Sequence, residues 1–123
     1  MSDYVSPHFR WSEVYCPCGQ CVMPVAAKVK AVELSKSLEV LRSLYGPVTV
    51  TSWYRCPGRN AKIGGASRSR HLSGDAADIK CPGCPDLPGW ADGYFHTGGV
   101  GTYRRYPNMI HVDIRGTRAR WRK

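Results

Sequence analysis

His71 and Asp78 lie seven positions apart in SRHLSGDAADI (residues 69–79), and His111 stands in MIHVDIRG (109–116). Two imidazoles and one carboxylate are the protein donors of a common catalytic zinc shell, which keeps a fourth coordination place for water. Such a set leaves the ion a net positive charge, with which it acidifies water and polarises a carbonyl. A single histidine near an aspartate is usually structural, and HxD in a strand says little by itself. The three residues together are a far narrower coincidence.

His71 and Asp78 can converge only if the chain turns sharply between them. Gly74 permits the turn, and Ala76 and Ala77 let the chain pack close to its neighbours. Asp78 precedes the apolar Ile79, so Asp75 is expected to be the solvent-facing aspartate of the pair. Strand alternation over MIHVDIRG puts His111 and Asp113 on one face and turns Val112 and Ile114 to the core.

The elements that must carry these residues read as follows. Residues 1–24 hold much Pro, Gly and Cys and form an irregular N-terminal arm, pinned by Phe9 and Trp11. From Val25 to Leu44, the positions Val25, Val29, Val32, Leu34, Leu38, Leu41 and Leu44 recur at helical spacing, and Gly46-Pro47 ends the helix. VTVTSWY (48–54) alternates and is rich in β-branched residues, as a strand should be. A short helix is expected around Arg59–Ile63, followed by a Gly-Gly loop. AADIK (76–80) is a second strand, CPGCPDLPGW (81–90) a turn-rich insertion, and the chain to Thr97 irregular. GGVGTY (98–103) and MIHVDIRG supply the last two strands. One long helix followed mostly by strands predicts an α+β fold, with a small antiparallel sheet carrying the helix. The arm (1–24) and a body (25–123) make a single domain.

Lys and Arg number 18 against 9 Asp and Glu, a net charge of +9 that draws the chain to polyanions. Part of that charge lies in RGTRARWRK (115–123), read as a solvated tail. A nucleic-acid role for this tail and Trp121 is disfavoured, because it would not require the His/Asp/His set. No apolar run reaches the ~20 residues that cross a bilayer, so membrane insertion is not expected. MSDYVSPHFRW has neither a basic leader nor an apolar stretch, so the expectation is cytoplasmic synthesis without a signal peptide.

The cysteines come as CPCGQC (Cys16, Cys18, Cys21), a lone Cys56, and CPGC (Cys81, Cys84). Close pairs suit thiolate ligation of a structural zinc, with three ligands from the first cluster or two from each. The plainer reading makes them small buried residues or loop thiols.

SRHLSGDAAD matches the SxHxxGxAxD signature of the zinc D-Ala-D-Ala carboxypeptidases and their relatives, among them phage L-alanyl-D-glutamate endopeptidases and, remotely, the hedgehog signalling domain. TSWYRCPGRNAKIGGASRSRH resembles the segment before that signature, and HVDIRGTRARW the closing segment. FRWSEVYCPCGQC resembles the arm of short phage and prophage members. The resemblance covers residues from about 8 to 121 and implies a hedgehog/DD-peptidase-like fold, one catalytic zinc and a peptide of the peptidoglycan stem as substrate. It implies that His71, Asp78 and His111 are the zinc ligands. Arg55, with Tyr54 beside it, and Ser69 correspond to residues near the substrate, with two roles equally open to Ser69: bonding substrate, or holding the ligand loop in shape. Several relatives carry Glu or Asp three residues before the last histidine as general base; here that position is Asn108. Asp113 is then the candidate base, with His96 as the alternative; the other role open to Asp113 is to orient a zinc ligand from behind it. A phage lysin or virion component, released to the wall by another protein, is expected. A non-catalytic wall-binding member that kept the zinc is the competing reading.

Overall fold

The computed structural model describes residues 3–123. The arm is more regular than its composition suggests. Strands β1 (Tyr4–Ser6) and β2 (Phe9–Arg10) pair antiparallel and lead into a short helix α1 (Trp11–Val14). Phe9 is buried and meets the Trp53 ring edge-on at 6.4 Å, which pins the arm as expected.

Helix α2 (Val25–Tyr45) is the long helix, and it stops where Gly46 takes φ 93 while donating its N–H to the Arg42 carbonyl at 2.9 Å. Its buried stripe is Ala27, Ala31, Leu34, Ser35, Leu38 and Leu41. The valines expected on that face are turned outward, with Val25 76% and Val29 59% exposed, and Leu44 is exposed as well. The two alanines explain the difference. They continue the stripe of Leu34, Leu38 and Leu41 at helical spacing, and their small size lets other backbone come close.

Five strands form the main sheet: β3 (Thr49–Ser52), β4 (Ala76–Lys80), β5 (Gly99–Thr102), β6 (Ile110–Asp113) and β7 (Ala119–Arg122). Their order is β3-β4-β6-β5-β7, antiparallel throughout except for the parallel pair β5–β7. The basic tail is therefore not a solvated end. Residues 119–122 hydrogen-bond along β5, and Asp92 holds the outer strand by accepting from Arg120 at 2.7 Å and Arg118 at 3.0 Å. Helix α3 (Pro57–Lys62) stands where a short helix was expected, while α4 (Leu87–Tyr94) occupies a stretch read as irregular. The Asp86 side chain caps its start by accepting from Gly89 N–H at 3.0 Å, and Pro88 fits a first turn that needs no N–H.

The register divides the sheet into two faces. Ala77, Ile79, Val100, Ile110 and Val112 join the buried stripe of α2 and the arm residues Phe9, Val14 and Met23 in one continuous core. On the opposite face, Ser52, Asp78, His111, Gly101 and Trp121 are successive cross-strand partners, one row across the whole sheet. Directly opposed residues share a face, so this row brings chemistry from five strands together.

Candidate metal centre and its cleft

Asp78 and His111 face each other across β4 and β6, and His71 reaches the same point from a 3-10 helix, Arg70–Ser73. Ser69 caps that turn by accepting from the His71 N–H at 3.3 Å. At its end Gly74 takes φ 78, and a Cβ there would collide with the Ala27 carbonyl of α2. The turn thus needs glycine both for its left-handed backbone and for its close approach to the helix. The indole N–H of Trp53 donates to the Gly74 carbonyl at 3.0 Å and fixes the turn from below.

Each imidazole is oriented by one nitrogen so that the other is left for the site. His71 Nδ1 lies 2.6 Å from the Trp53 carbonyl, which can only accept, so Nδ1 carries the proton. His71 Nε2 is buried and has no hydrogen-bond partner among the described residues. His111 Nε2 lies 2.7 Å from Asp113 Oδ2, which turns Nδ1 towards Asp78. The separations are His71 Nε2 to Asp78 Oδ2, 3.4 Å, and His111 Nδ1 to Asp78 Oδ1, 3.5 Å. These are long for hydrogen bonds. They match the edge of a tetrahedron about an ion, about 3.3 Å for metal–ligand distances near 2.0–2.1 Å. One atom from each residue lies within 4.8 Å of the other two. An orphaned imidazole nitrogen and this donor set both fit zinc.

The electrostatics agree. Burial pushes the His71 pKa down and keeps that ring neutral, as a ligand must be. Burial would raise Asp78, but the two imidazoles beside it outweigh that and hold its carboxyl well below the usual carboxylate range. His111 is pulled down by burial and up by Asp113 and Asp78, and the carboxylates win. A divalent cation between the two sides would take the place of that proton.

Asp113 does not stand where a general base is needed. It is fully buried, beyond His111 as seen from Asp78, and its oxygens accept from His111, from Gly99 N–H at 2.8 Å, and from Arg115 Nε and Nη2 at 2.9 and 2.7 Å. Gly99 opposes Asp113 in the register, and any Cβ there would strike the carboxylate. The geometry makes Asp113 the group that sets the tautomer and orientation of His111. The alternative base, His96, and the position where several relatives carry a base, Asn108, both lie away from the centre. His96 is exposed outside the cleft, and Asn108 is exposed in a separate groove lined by Lys80, Pro82 and Pro107. Asp75, expected in solvent, is buried, accepts from Ser73 at 2.9 Å and pairs with Arg70 at 3.2 Å.

The centre opens into a cleft of about 820 Å³. Arg55, Arg68, Arg70, Arg115 and Lys123 line it, and Asp78 is the only carboxylate among the lining residues. Arg55 keeps a buried Nε without a hydrogen-bond partner among the described residues, its charge disfavoured by burial and favoured by Asp78. Ser69 also lines the cleft. Tyr54, expected beside the substrate, instead packs in the core, its N–H bonded to the Val14 carbonyl at 3.0 Å. Tyr103 and Trp121 are among the lining residues to which the sequence reading gave no place at the metal centre. Tyr103 donates its hydroxyl to Asp78 Oδ1 at 2.9 Å, and burial together with Asp78 raises its pKa. The Trp121 ring lies 4.7 Å from that of His111, with the Arg115 guanidinium 5.2 Å from the indole.

The cysteines follow the first of the two patterns read in the sequence, three from the first cluster, and add a fourth. Cys16, Cys18 and Cys21 are joined by Cys56, the residue that seemed alone. Cys81 and Cys84 lie apart, buried against the core, where the Cys84 N–H closes a tight turn onto the Cys81 carbonyl at 3.0 Å.

Comparison with known proteins accords with this geometry. Residues 7–113 match the family profile of Peptidase M15. Over 63 residues, half of the chain, the sequence is 36% identical to the zinc D-Ala-D-Ala carboxypeptidase of Streptomyces albus G. The matched part covers about 25% of that relative's length. With the family profile spanning the arm, the 3-10 turn and the paired strands that present His71, Asp78 and His111, the chain belongs to the peptidase M15 family.

Proposed function

We propose that the chain is a zinc metallopeptidase that hydrolyses a peptide bond in peptidoglycan stem peptides, of the D,D-carboxypeptidase or L-Ala-D-Glu endopeptidase type. The observation that carries it is the convergence of His71 Nε2, His111 Nδ1 and the Asp78 carboxylate, with the first left unpartnered in a buried site. Zinc held there supplies Lewis-acid polarisation of a carbonyl and acidification of water. The chain's own residues do the rest. Arg55 offers an unpartnered N–H to a substrate carboxylate or carbonyl, Arg68 and Lys123 add positive potential, and Trp121 gives an apolar wall. Tyr103 and Asp113 hold Asp78 and His111 in place.

The finer reading is a phage or prophage lysin, or a virion component, that reaches the wall by another protein or in the particle. It rests on the resemblance of FRWSEVYCPCGQC to the arms of short phage members. A second reading is favoured by one observation: among the described residues that line the cleft, Asp78 carries the only side-chain carboxylate, and the proposed zinc takes it. On that reading the chain binds the wall and does not cut it.

Mass spectrometry of muropeptides, after digestion of purified sacculi with zinc-loaded protein, decides between them. Cleaved stems with the native chain and none with Asp78→Ala are expected. Full zinc content with no product would replace the hydrolase by the binding module.

A further inference from the structure

We propose that Cys16, Cys18, Cys21 and Cys56 hold a second, structural zinc ion that fastens the N-terminal arm to the loop carrying Arg55. The four Sγ atoms lie within 4.8 Å of one another. Cys16 and Cys18 stand 3.6 and 3.9 Å from Cys56. A disulfide would need about 2.05 Å. Four thiolates around zinc, at metal–sulfur distances near 2.3 Å, are separated by about 3.8 Å. Backbone N–H groups point at the sulfurs, Gln20 to Cys18 at 3.5 Å and Arg59 to Cys56 at 3.4 Å, as suits thiolates that need neutralising. Four protein ligands leave no open place, the mark of a structural ion and not of a catalytic one.

The position of Cys56 gives the ion its purpose. Four consecutive residues, Trp53 to Cys56, tie the two centres together. The Trp53 carbonyl accepts from the His71 ring, and Tyr54 N–H donates to Val14 of the arm. Arg55 N–H donates to the His71 carbonyl at 3.1 Å, and Cys56 enters the sulfur cluster. The arm has few other anchors on this side: between Val14 and the start of α2, only Cys16 and Met23 are buried. A metal at the cluster therefore fixes the backbone on which Arg55 and the support of His71 both depend.

Metal analysis and cobalt substitution test this without reference to hydrolysis. Protein purified under reducing conditions should carry two zinc ions per chain. Asp78→Ala should retain one, and its cobalt form should show the intense thiolate-to-cobalt charge-transfer bands of a tetrathiolate site. Cys21→Ala should lose one of the two ions, and Cys21→His, which keeps a ligand, should restore it. Where substrate turnover is measurable, Cys21→Ala should raise KM more than it lowers kcat, through the displaced Arg55. A metal-free Asp78→Ala protein, or intact mass showing two hydrogens lost per cysteine pair, would overturn the proposal. Both outcomes are independent of whether the His71 centre cuts peptidoglycan, and the Asp78→Ala arm stands even if the cysteine variants fail to fold.

Discussion

At the scale of single residues, the structure chooses between the two roles open to Asp113 and favours orienting His111. Its type and its place two residues after His111 made it the nearest replacement for a missing base, and alternation correctly put it on the same face. Only the register reveals that its carboxylate lies beyond the ring, shared between His111, Arg115 and the Gly99 amide. The two roles make opposite forecasts for Asp113→Asn. A group that orients a ligand should weaken zinc binding by about 10- to 100-fold, seen in competition with a chromophoric chelator. A base would leave zinc affinity alone and lower kcat. We expect the first outcome, and unchanged affinity with a slower enzyme would restore Asp113 to catalysis. The same contrast explains what the sequence hid. His71, Asp78 and His111 were legible because residue type and spacing are local facts. Tyr103 and Trp121 were not, because each meets its partner only through strand pairing, and residue type and spacing within GGVGTY or RARWRK do not announce it.

At the scale of elements, the sequence told most where geometry follows from neighbours along the chain. The helix of residues 25–45, the strand over 76–80 and the need for Gly74 were all readable. What misled was ambiguity over burial: valines outnumber alanines on α2, yet Ala27 and Ala31 line the core because the Gly74 turn must come within contact of the helix. Gly74→Ala should therefore be costly twice, through its left-handed backbone at about 1–2 kcal/mol and through collision with Ala27. Urea denaturation of the metal-free protein should show a loss of at least that size, and a loss below it would mean that the turn relaxes freely. The tail was misread because a run of cations looks solvated, whereas its acidic partner, Asp92, sits on a helix that was itself missed. The Arg120 side chain, with Arg118, holds the Asp92 carboxyl below its ordinary 3.8. A depressed carboxylate stabilises the fold above its unfolded pKa and loses that contribution as pH falls through the folded value. Asp92→Asn should thus lower Tm modestly near neutral pH, since exposed pairs are weak. The gap between the two proteins should close as the pH falls below about 3.8. A gap that persists in acid would assign the effect to helix capping or packing instead of charge.

At the scale of the whole molecule, the +9 charge acquires a direction once the fold is known. Composition alone left nucleic acid, anionic lipid and cell wall equally open. The structure sets four arginines and a lysine around one cleft whose sole carboxylate faces the two imidazoles, so the positive potential is focused where a substrate would lie. On the proposed function, an acidic peptide is the partner that suits both this field and the Arg55 side chain. Focusing can be separated from bulk attraction with two substitutions of equal charge. Arg68 is exposed at the cleft, and Lys36 is exposed on α2 away from it. Arg68→Glu and Lys36→Glu each lower the net charge by the same amount. If only total charge matters, both should weaken binding of the inactive Asp78→Ala protein to sacculi equally. If the cleft gathers the field, Arg68→Glu should weaken it several-fold more. The difference should shrink as salt rises from 0.1 to 1 M and screening shortens from about 10 to about 3 Å. Equal losses at every salt concentration would return the charge to a general adhesive role and leave recognition to the shape of the cleft.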